Sequence, residues 1–174
     1  SPYSASKASG NFFVNAYSET YKLNVITTSC SNNYGPHQHR EKLIPTIVRT
    51  ALAGKDIPIY GNGDNVRDWL FVEDHCVAID EVFHNGKTGE IYNVGGDKEL
   101  NNLELANKIC DILDELKPKK TKYSEQLTFV EDRKGHDFRY AVDFSKIHNE
   151  LNWNPTNDFE GKLRETLQWC IDSE

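Results

Sequence analysis

Three groups of residues have the types and spacings to do chemistry. Tyr3 and Lys7 stand four residues apart, and on a helix that spacing puts a phenol and an ammonium on one face. A neighbouring cation favours the phenolate, the charge state of a general base acting on an alcohol. Chance alone produces such a pair roughly half the time in a chain of this composition, so the motif is weak by itself. Arg67 and Asp68 follow a glycine turn, Gly61-Asn62-Gly63-Asp64, at the start of an apolar run. A guanidinium placed there could hold a diphosphate; a surface hairpin with an exposed ion pair is the plainer reading and the preferred one. The run Asp132, Arg133, Lys134, Gly135, His136, Asp137 clusters donors suited to phosphate or ribose, and a solvated loop explains it equally well. His37 and His39 offer two metal ligands, but no third stands at a suitable spacing, so no metal is expected. Gly61-x-Gly63-x-x-Val66 is rejected as a dinucleotide fingerprint, because its sixth position is Val and a strand follows where a helix is required.

The elements that must carry these residues alternate. Residues 4–21 show helical spacing, with an apolar stripe through Ala5, Ala8, Phe12, Phe13, Ala16 and Tyr17, as a helix with one apolar face does. Residues 23–30 are β-branched and predict a buried strand, which empties into a polar, turn-rich loop over residues 31–40. A helix is expected at 43–52 with Gly54 just beyond its end, a strand at 57–60, a strand at 66–72, a helix at 73–83 and a strand at 90–94. Asn102 is expected to cap an amphipathic helix bearing Leu103, Ala106, Ile109, Cys110, Leu113 and Leu116. A strand near 128–130 and helices at 144–151 and 159–171, the last capped by Asp158, complete the chain. This alternation predicts an α/β fold with a largely parallel sheet, and ligands in such sheets bind beyond the carboxyl ends of strands. The 31–40 loop leaves a strand at such an end.

Bulk properties narrow the function. The 174 residues carry 27 acidic against 20 basic side chains, a net charge of −7, which disfavours a nucleic-acid partner. No apolar run is long enough to span a bilayer, and no signal-peptide pattern opens the chain. Four cysteines at scattered positions match no metal spacing; Cys76 and Cys110 fall in apolar helical patterns, where buried thiols are expected. Reduced thiols and a cytoplasmic location follow. The absence of Met and the opening at Ser1-Pro2-Tyr3 make a fragment of a longer protein the expectation.

Taken in order, the segments SPYSASKA (1–8), CSNNYGP (30–36), EKLIP (41–45), IPIYG (57–61), GDNVRDWLFVEDH (63–75), YNVGG (92–96) and DRKGHD (132–137) resemble the extended short-chain dehydrogenase/reductases. Within them the chain is most similar to the dTDP-glucose 4,6-dehydratase branch. The resemblance runs over nearly the whole chain; CSNNYGP, EKLIP and DRKGHD are its specific parts, and the Tyr-Lys pair and the Arg67 segment are shared with epimerases and decarboxylases. It implies the C-terminal part of an NAD(P)-binding Rossmann-like fold plus its small substrate-binding domain, with NAD as cofactor and a dTDP-sugar as substrate. Tyr3 would deprotonate the sugar hydroxyl, Lys7 would hold the nicotinamide ribose, and Asn33 would lie beside the nicotinamide. Asn32, Lys42, Leu43, Pro58, Ile59 and Tyr60 would surround the sugar nucleotide. Arg67 and Asn102 would contact the diphosphate, with Asp132, Arg133, Lys134, Gly135 and His136 closing over it. The family's glycine fingerprint for NAD, and the Asp-Glu pair that eliminates water, belong to an N-terminal half outside these residues. The 174 residues alone are therefore expected not to turn over. A homodimer through the helix of the Tyr-Lys pair and a role in making deoxysugars such as rhamnose are further implications. The alternatives are another nucleotide-sugar enzyme, such as a UDP-sugar epimerase or decarboxylase, and a non-catalytic sugar-nucleotide-binding module.

Overall fold

The computed structural model describes residues 1–173. Helix α1 (Pro2–Tyr21) starts at Ser1, whose hydroxyl accepts from the Ser4 N–H, with proline in its first turn, where a missing N–H does no harm. None of its residues is buried. The apolar stripe thus does not pack on the core of this chain; Phe12 is 74% exposed, and Phe13, Tyr17 and Tyr21 are exposed as well. Lys22, left-handed at φ 55, ends the helix.

The strand expected over 23–30 is shorter, β1 (Thr27–Cys30), and it is partly exposed. The expected loop contains a strand, β2 (Asn32–Tyr34). Then come α2 (Leu43–Leu52), β3 (Ile57–Tyr60), β4 (Val66–Phe71), α3 (Val72–Asn85) and β5 (Ile91–Val94). A short strand β6 (Glu99–Asn101) precedes α4 (Asn102–Leu116). Asn101, not Asn102, caps α4: its side chain accepts from the Glu104 N–H while the Glu104 carboxylate accepts from the Asn101 N–H, a reciprocal capping box. A 3-10 turn (Tyr123–Gln126), β7 (Leu127–Val130), β8 (Arg139–Tyr140), α5 (Ser145–Leu151) and α6 (Phe159–Asp172) complete the order. Asp158 caps α6 as expected, accepting from the Gly161 N–H. The left-handed Gly54 follows the end of α2.

Strand pairing is mostly parallel, as the alternation predicts. β1 pairs with β5, β3 with β7, and β4 with both β2 and β8 in parallel; β6 runs antiparallel to β4. The two halves of β4 have different neighbours. Val66–Asp68 lie opposite β6, and Trp69–Phe71 lie opposite β2. Successive side chains of a strand point to opposite faces, and β4 buries both. Trp69 and Phe71 join the larger core, built with Ile44, Ile47, Ile57, Leu105, Ile109, Leu163 and Leu167. Leu70 joins the smaller one, with Ala78, Val82, Tyr92, Val94, Ile147 and Trp153. Cys110 and Cys170 are buried and Cys76 is exposed, so the expectation of a buried thiol fails at Cys76: that position lies on the face of α3 turned away from the smaller core.

Asp68 is 2% exposed, and its carboxylate accepts from the Gly96 and Lys98 N–H groups at 2.9 and 3.0 Å. The surface hairpin preferred from sequence is therefore not what forms; the Arg67–Asp68 segment is an interior strand. The Gly95-Gly96 pair lets the chain leaving β5 lie directly on β4, where a Cβ on Gly96 would come 1.8 Å from the Trp69 carbonyl oxygen. Gly96→Ala should destabilise the protein by about 3 kcal/mol or more, measured by chemical denaturation. A loss under about 1 kcal/mol would mean that this close approach is not needed.

Candidate active site

Tyr60, Arg67, Asn102 and the 132–136 run converge where β3 ends and β4 begins. Pro58 is half-buried, Tyr60 sits at the rim, and the Ile59 side chain lies in the core at 2% exposure. Ile59 can meet a ligand only through its backbone, because strand alternation turns it away from the face of Tyr60. Beyond Tyr60 the chain turns through left-handed Gly61 and Gly63. A Cβ on Gly63 would come 2.8 Å from Leu103 Cβ, so the turn packs on the start of α4. There the Leu103 N–H donates to the Gly63 carbonyl and the Asn102 N–H to the Asn65 carbonyl, both at 3.1 Å. Asn102, although not the cap, is thereby fixed beside the turn that feeds Arg67.

Because β7 pairs with β3 in register Tyr60↔Val130, the 131–138 loop emerges next to Tyr60. The Arg133 guanidinium stands 5.1 Å from the Tyr60 ring centre, within cation–π range. The His136 side chain, 7% exposed, lies between two partners: Nδ1 is 2.7 Å from Asp132 Oδ1 and Nε2 is 3.0 Å from Arg133 Nη2. A guanidinium only donates, so Nε2 accepts and the proton is on Nδ1, donated to Asp132. That bond, first among several, holds the Asp132 carboxyl below its ordinary range. Arg67 donates to the Asp137 carbonyl at 2.8 Å and to its own Val66 carbonyl at 2.6 Å. Its pKa is lowered, by burial first and by the nearby Arg133 charge, while Asp137 and Asp132 oppose the shift. Asn65 also donates to the Asp137 carbonyl, and β8 pairs with β4 in register Arg67↔Tyr140. Both ends of the loop are thus clamped, with Lys134 and left-handed Gly135 exposed at its tip.

The second part lies at the carboxyl end of β1. Asn33 Nδ2 donates to the Ser31 carbonyl at 3.1 Å and to Cys30 Sγ at 3.3 Å, and Asn33 Oδ1 is 2.8 Å from His75 Nδ1. An amide oxygen only accepts, so His75 donates from Nδ1. Burial lowers the His75 pKa below 6.5. The Tyr140 hydroxyl donates to the Cys30 carbonyl at 3.0 Å. Its pKa is raised by burial first, then by Cys30, Tyr3 and Asp137, so the Tyr3 phenol on α1 lies near Tyr140. Tyr3 and Lys7 are exposed one turn apart on α1, and Asn32 is half-buried. Lys42 is the exposed residue preceding α2, and Leu43 packs partly against the larger core.

The structure gathers Tyr60, Arg67, Asp132, Arg133 and His136 into one cluster. Sequence reasoning passed over His75 and Tyr140, and it read Asp68 as part of an exposed ion pair. A signal for His75 existed in principle, since a polar ring in the first turn of a helix that follows a buried strand with no loop between must face something. Two clefts of about 160 and 330 Å³ border none of the expected residues; they are lined by Gln38, Arg49 and Trp169 in one case and by Lys108, Glu160 and Arg164 in the other. Converging donors, and not depth, mark this site.

Parallel strand pairs alternating with helices, a Tyr-x-x-x-Lys helix and loops gathered at strand ends define an extended short-chain dehydrogenase/reductase. The chain belongs to the GDP-mannose 4,6 dehydratase family, whose model matches residues 1–166. It is 55% identical over 171 residues to the dTDP-glucose 4,6-dehydratase of Salmonella typhimurium, covering 98% of this chain and 47% of that one. Against the enzyme of the same name from Neisseria gonorrhoeae it is 51% identical, covering 100% and 51%. The crystal structure of the Bacillus anthracis dTDP-glucose 4,6-dehydratase in complex with NAD superposes with a TM-score of 0.89 at 50% identity, over 100% of this chain and 53% of that one. The chain thus spans about half the length of these relatives. The UDP-glucuronic acid 4-epimerase of Bacillus cereus shares the fold at a TM-score of 0.88 with 21% identity, over 100% of this chain and 54% of that one.

His75 gives the site a pH signature in stability. A histidine whose folded pKa lies below its unfolded value binds fewer protons folded than unfolded, so its contribution is intact above about pH 6.5 and declines as pH falls. Between about pH 7 and pH 5.5 the wild type should lose more thermal stability than His75→Asn. Equal losses in the two proteins would contradict the buried, neutral imidazole.

Proposed function

We propose that these residues form the nucleotide-sugar side of an NAD-dependent dTDP-glucose 4,6-dehydratase, a lyase that converts dTDP-glucose to dTDP-4-keto-6-deoxyglucose. The observation that carries the reading is the pair of guanidiniums, Arg67 and Arg133. Their hydrogen bonds go to main-chain carbonyls and to a neutral imidazole. These direct partners orient the guanidiniums and carry no negative charge themselves, which suits a diphosphate, although the Asp137 and Asp132 carboxylates nearby partly favour the Arg67 cation. Tyr60 and Pro58 would flank the base, with the backbone of Ile59 between them. Lys42, Leu43, Asn32 and Asn102 would line the rest, and the loop from Asp132 through Lys134 and Gly135 to His136 would close over the phosphates. The similarity to dTDP-glucose 4,6-dehydratases over 98% of the chain supports the choice of base and sugar.

The residues present fit the nicotinamide end of NAD. The buried Ser31 hydroxyl has no hydrogen-bond partner among the described residues, Asn33 Oδ1 keeps a second lone pair, and Lys7 is exposed one turn from Tyr3. When bound, NAD supplies a hydride acceptor that later returns the hydride. Tyr3, as phenolate, would take the proton from the sugar hydroxyl at oxidation, and Lys7 would steady that charge and hold the ribose. Loss of water and hydride return then complete the reaction.

In the full-length protein, Arg67→Leu and Arg133→Leu should each weaken dTDP binding by about 10- to 100-fold, the worth of a charge-assisted hydrogen bond, as read by calorimetry. Mass spectrometry should show dTDP-glucose losing one water. Tighter binding of UDP than of dTDP, or no dehydrated product, would overturn the assignment.

The same reading places the enzyme in the cytoplasm, consistent with cysteines that form no disulfide among the described residues, as a homodimer through the exposed aromatic face of α1. The Phe12→Glu variant should shift sedimentation from dimer to monomer; an unchanged dimer would assign the contact to another face. No described helix is long and apolar enough to cross a membrane.

A further inference from the structure

The Asn33 amide is almost saturated. Both Nδ2 protons are committed, to the Ser31 carbonyl and to Cys30 Sγ, and one lone pair of Oδ1 receives the His75 Nδ1–H. What remains is one lone pair on Oδ1. Asn33 can therefore meet a ligand only as an acceptor, and it does so only while its amide keeps this orientation. A flipped amide would turn its oxygen on the Ser31 carbonyl, acceptor against acceptor, and would meet His75 only if the imidazole moved its proton to Nε2 and accepted at Nδ1.

We propose that His75 is a positioning residue for the cofactor: by donating to Asn33 Oδ1 it holds the amide so that its free lone pair faces the nicotinamide end of NAD. The inference rests on the NAD-dependent reading above. Three features support it. The register of β2 on β4, with Leu70 opposite Asn33 and Phe71 opposite Tyr34, sets the strand carrying Asn33 against the strand leading into α3. Because α3 begins at Val72, immediately after β4, His75 lies in its opening residues with no loop to loosen it. The imidazole is partly buried, and burial disfavours its charged form, so near neutral pH it carries one N–H, which the 2.8 Å contact to the Asn33 amide oxygen places on Nδ1. A Gln38 side chain donating to the Asn33 carbonyl at 2.7 Å holds the backbone of the same residue, so both ends of Asn33 are tied.

The test compares wild type, His75→Leu and His75→Asn in the full-length protein. Asparagine places an N–H where Nδ1 stands; leucine fills space and donates nothing. The expected result is about tenfold weaker NAD binding and about tenfold lower kcat for the leucine variant, with the dTDP Kd within about twofold of wild type. The asparagine variant should recover both to within about threefold. The proposal is overturned if His75→Leu keeps NAD affinity and kcat within about twofold, if asparagine fails as badly as leucine, or if dTDP and NAD affinities fall together, since that is a packing effect. Wild type that binds no NAD overturns it as well. Wild type that binds NAD but not dTDP overturns the nucleotide assignment alone, because NAD affinity across the three proteins still reads the role of His75.

Discussion

Everything in this molecule hangs on the Asp68–Phe71 stretch of strand β4 having no solvent face. Trp69 and Phe71 belong to one core and Leu70 to the other, so the two cores share a wall one residue thick. A strand buried on both sides needs its polar groups answered from within. The Asp68 carboxylate does this by taking two backbone N–H groups from the 96–98 turn, and the Trp69 N–H donates to the Lys98 carbonyl. The same strand pairs with β2, β6 and β8. Asn33, the start of α4 and the end of the 131–138 loop are therefore all placed by one six-residue segment. An error in its register would move both halves of the site, since a slip by one residue exchanges the two faces.

Electrostatics at the nucleotide side follow from how the cations are partnered. An arginine paired with a carboxylate has spent its charge locally; one held by carbonyls keeps it. Arg67 and Arg133 are near enough to raise each other's energy in the charged state, which favours an incoming dianion, while Asp137 and Asp132 offset part of that repulsion. The Asp132–His136–Arg133 chain adds rigidity, because the neutral imidazole passes orientation from carboxylate to guanidinium without cancelling the positive charge. On the hydride side the logic differs: the ties around Asn33 are neutral and fix direction, not charge. The Tyr140 hydroxyl on the Cys30 carbonyl joins the two halves, since Tyr140 sits opposite Arg67 while Cys30 leads into Asn33.

Much of the fold was legible in order and approximate extent. Helices α2, α4 and α6 carry strong 3.6-residue periodicity, and Gly54 and Asp158 end and begin helices where their backbone chemistry says they should. The misreadings share a cause. Asn32–Tyr34, Glu99–Asn101 and Arg139–Tyr140 are strands of two or three residues, too short to show an alternating pattern, and they exist because β4 offers them hydrogen bonds. Asn101 and Asn102 are equally good caps by type; packing of Leu103 on the Gly63 turn decides between them. The apolar stripe of α1 looked alike whether it faced a core or a partner, and this chain gives it nothing to bury against.

By itself the sequence determined which chemistry is available here: a phenol and an ammonium at helical spacing, one arginine after a glycine turn and another in a charged run after a strand, and an asparagine after a strand. Local periodicity and residue type are properties of neighbours in the chain, so they can be read from it. Tertiary structure alone decided which of these groups meet. Arg67 and Arg133 are 66 positions apart, and Asn33 and His75 are 42 apart; each pairing depends on strand register. It also decided that Asp68 is an interior ligand for backbone N–H groups and not a surface charge. Register is set by which faces find a core, a sum over contacts from the whole chain that no single segment contains.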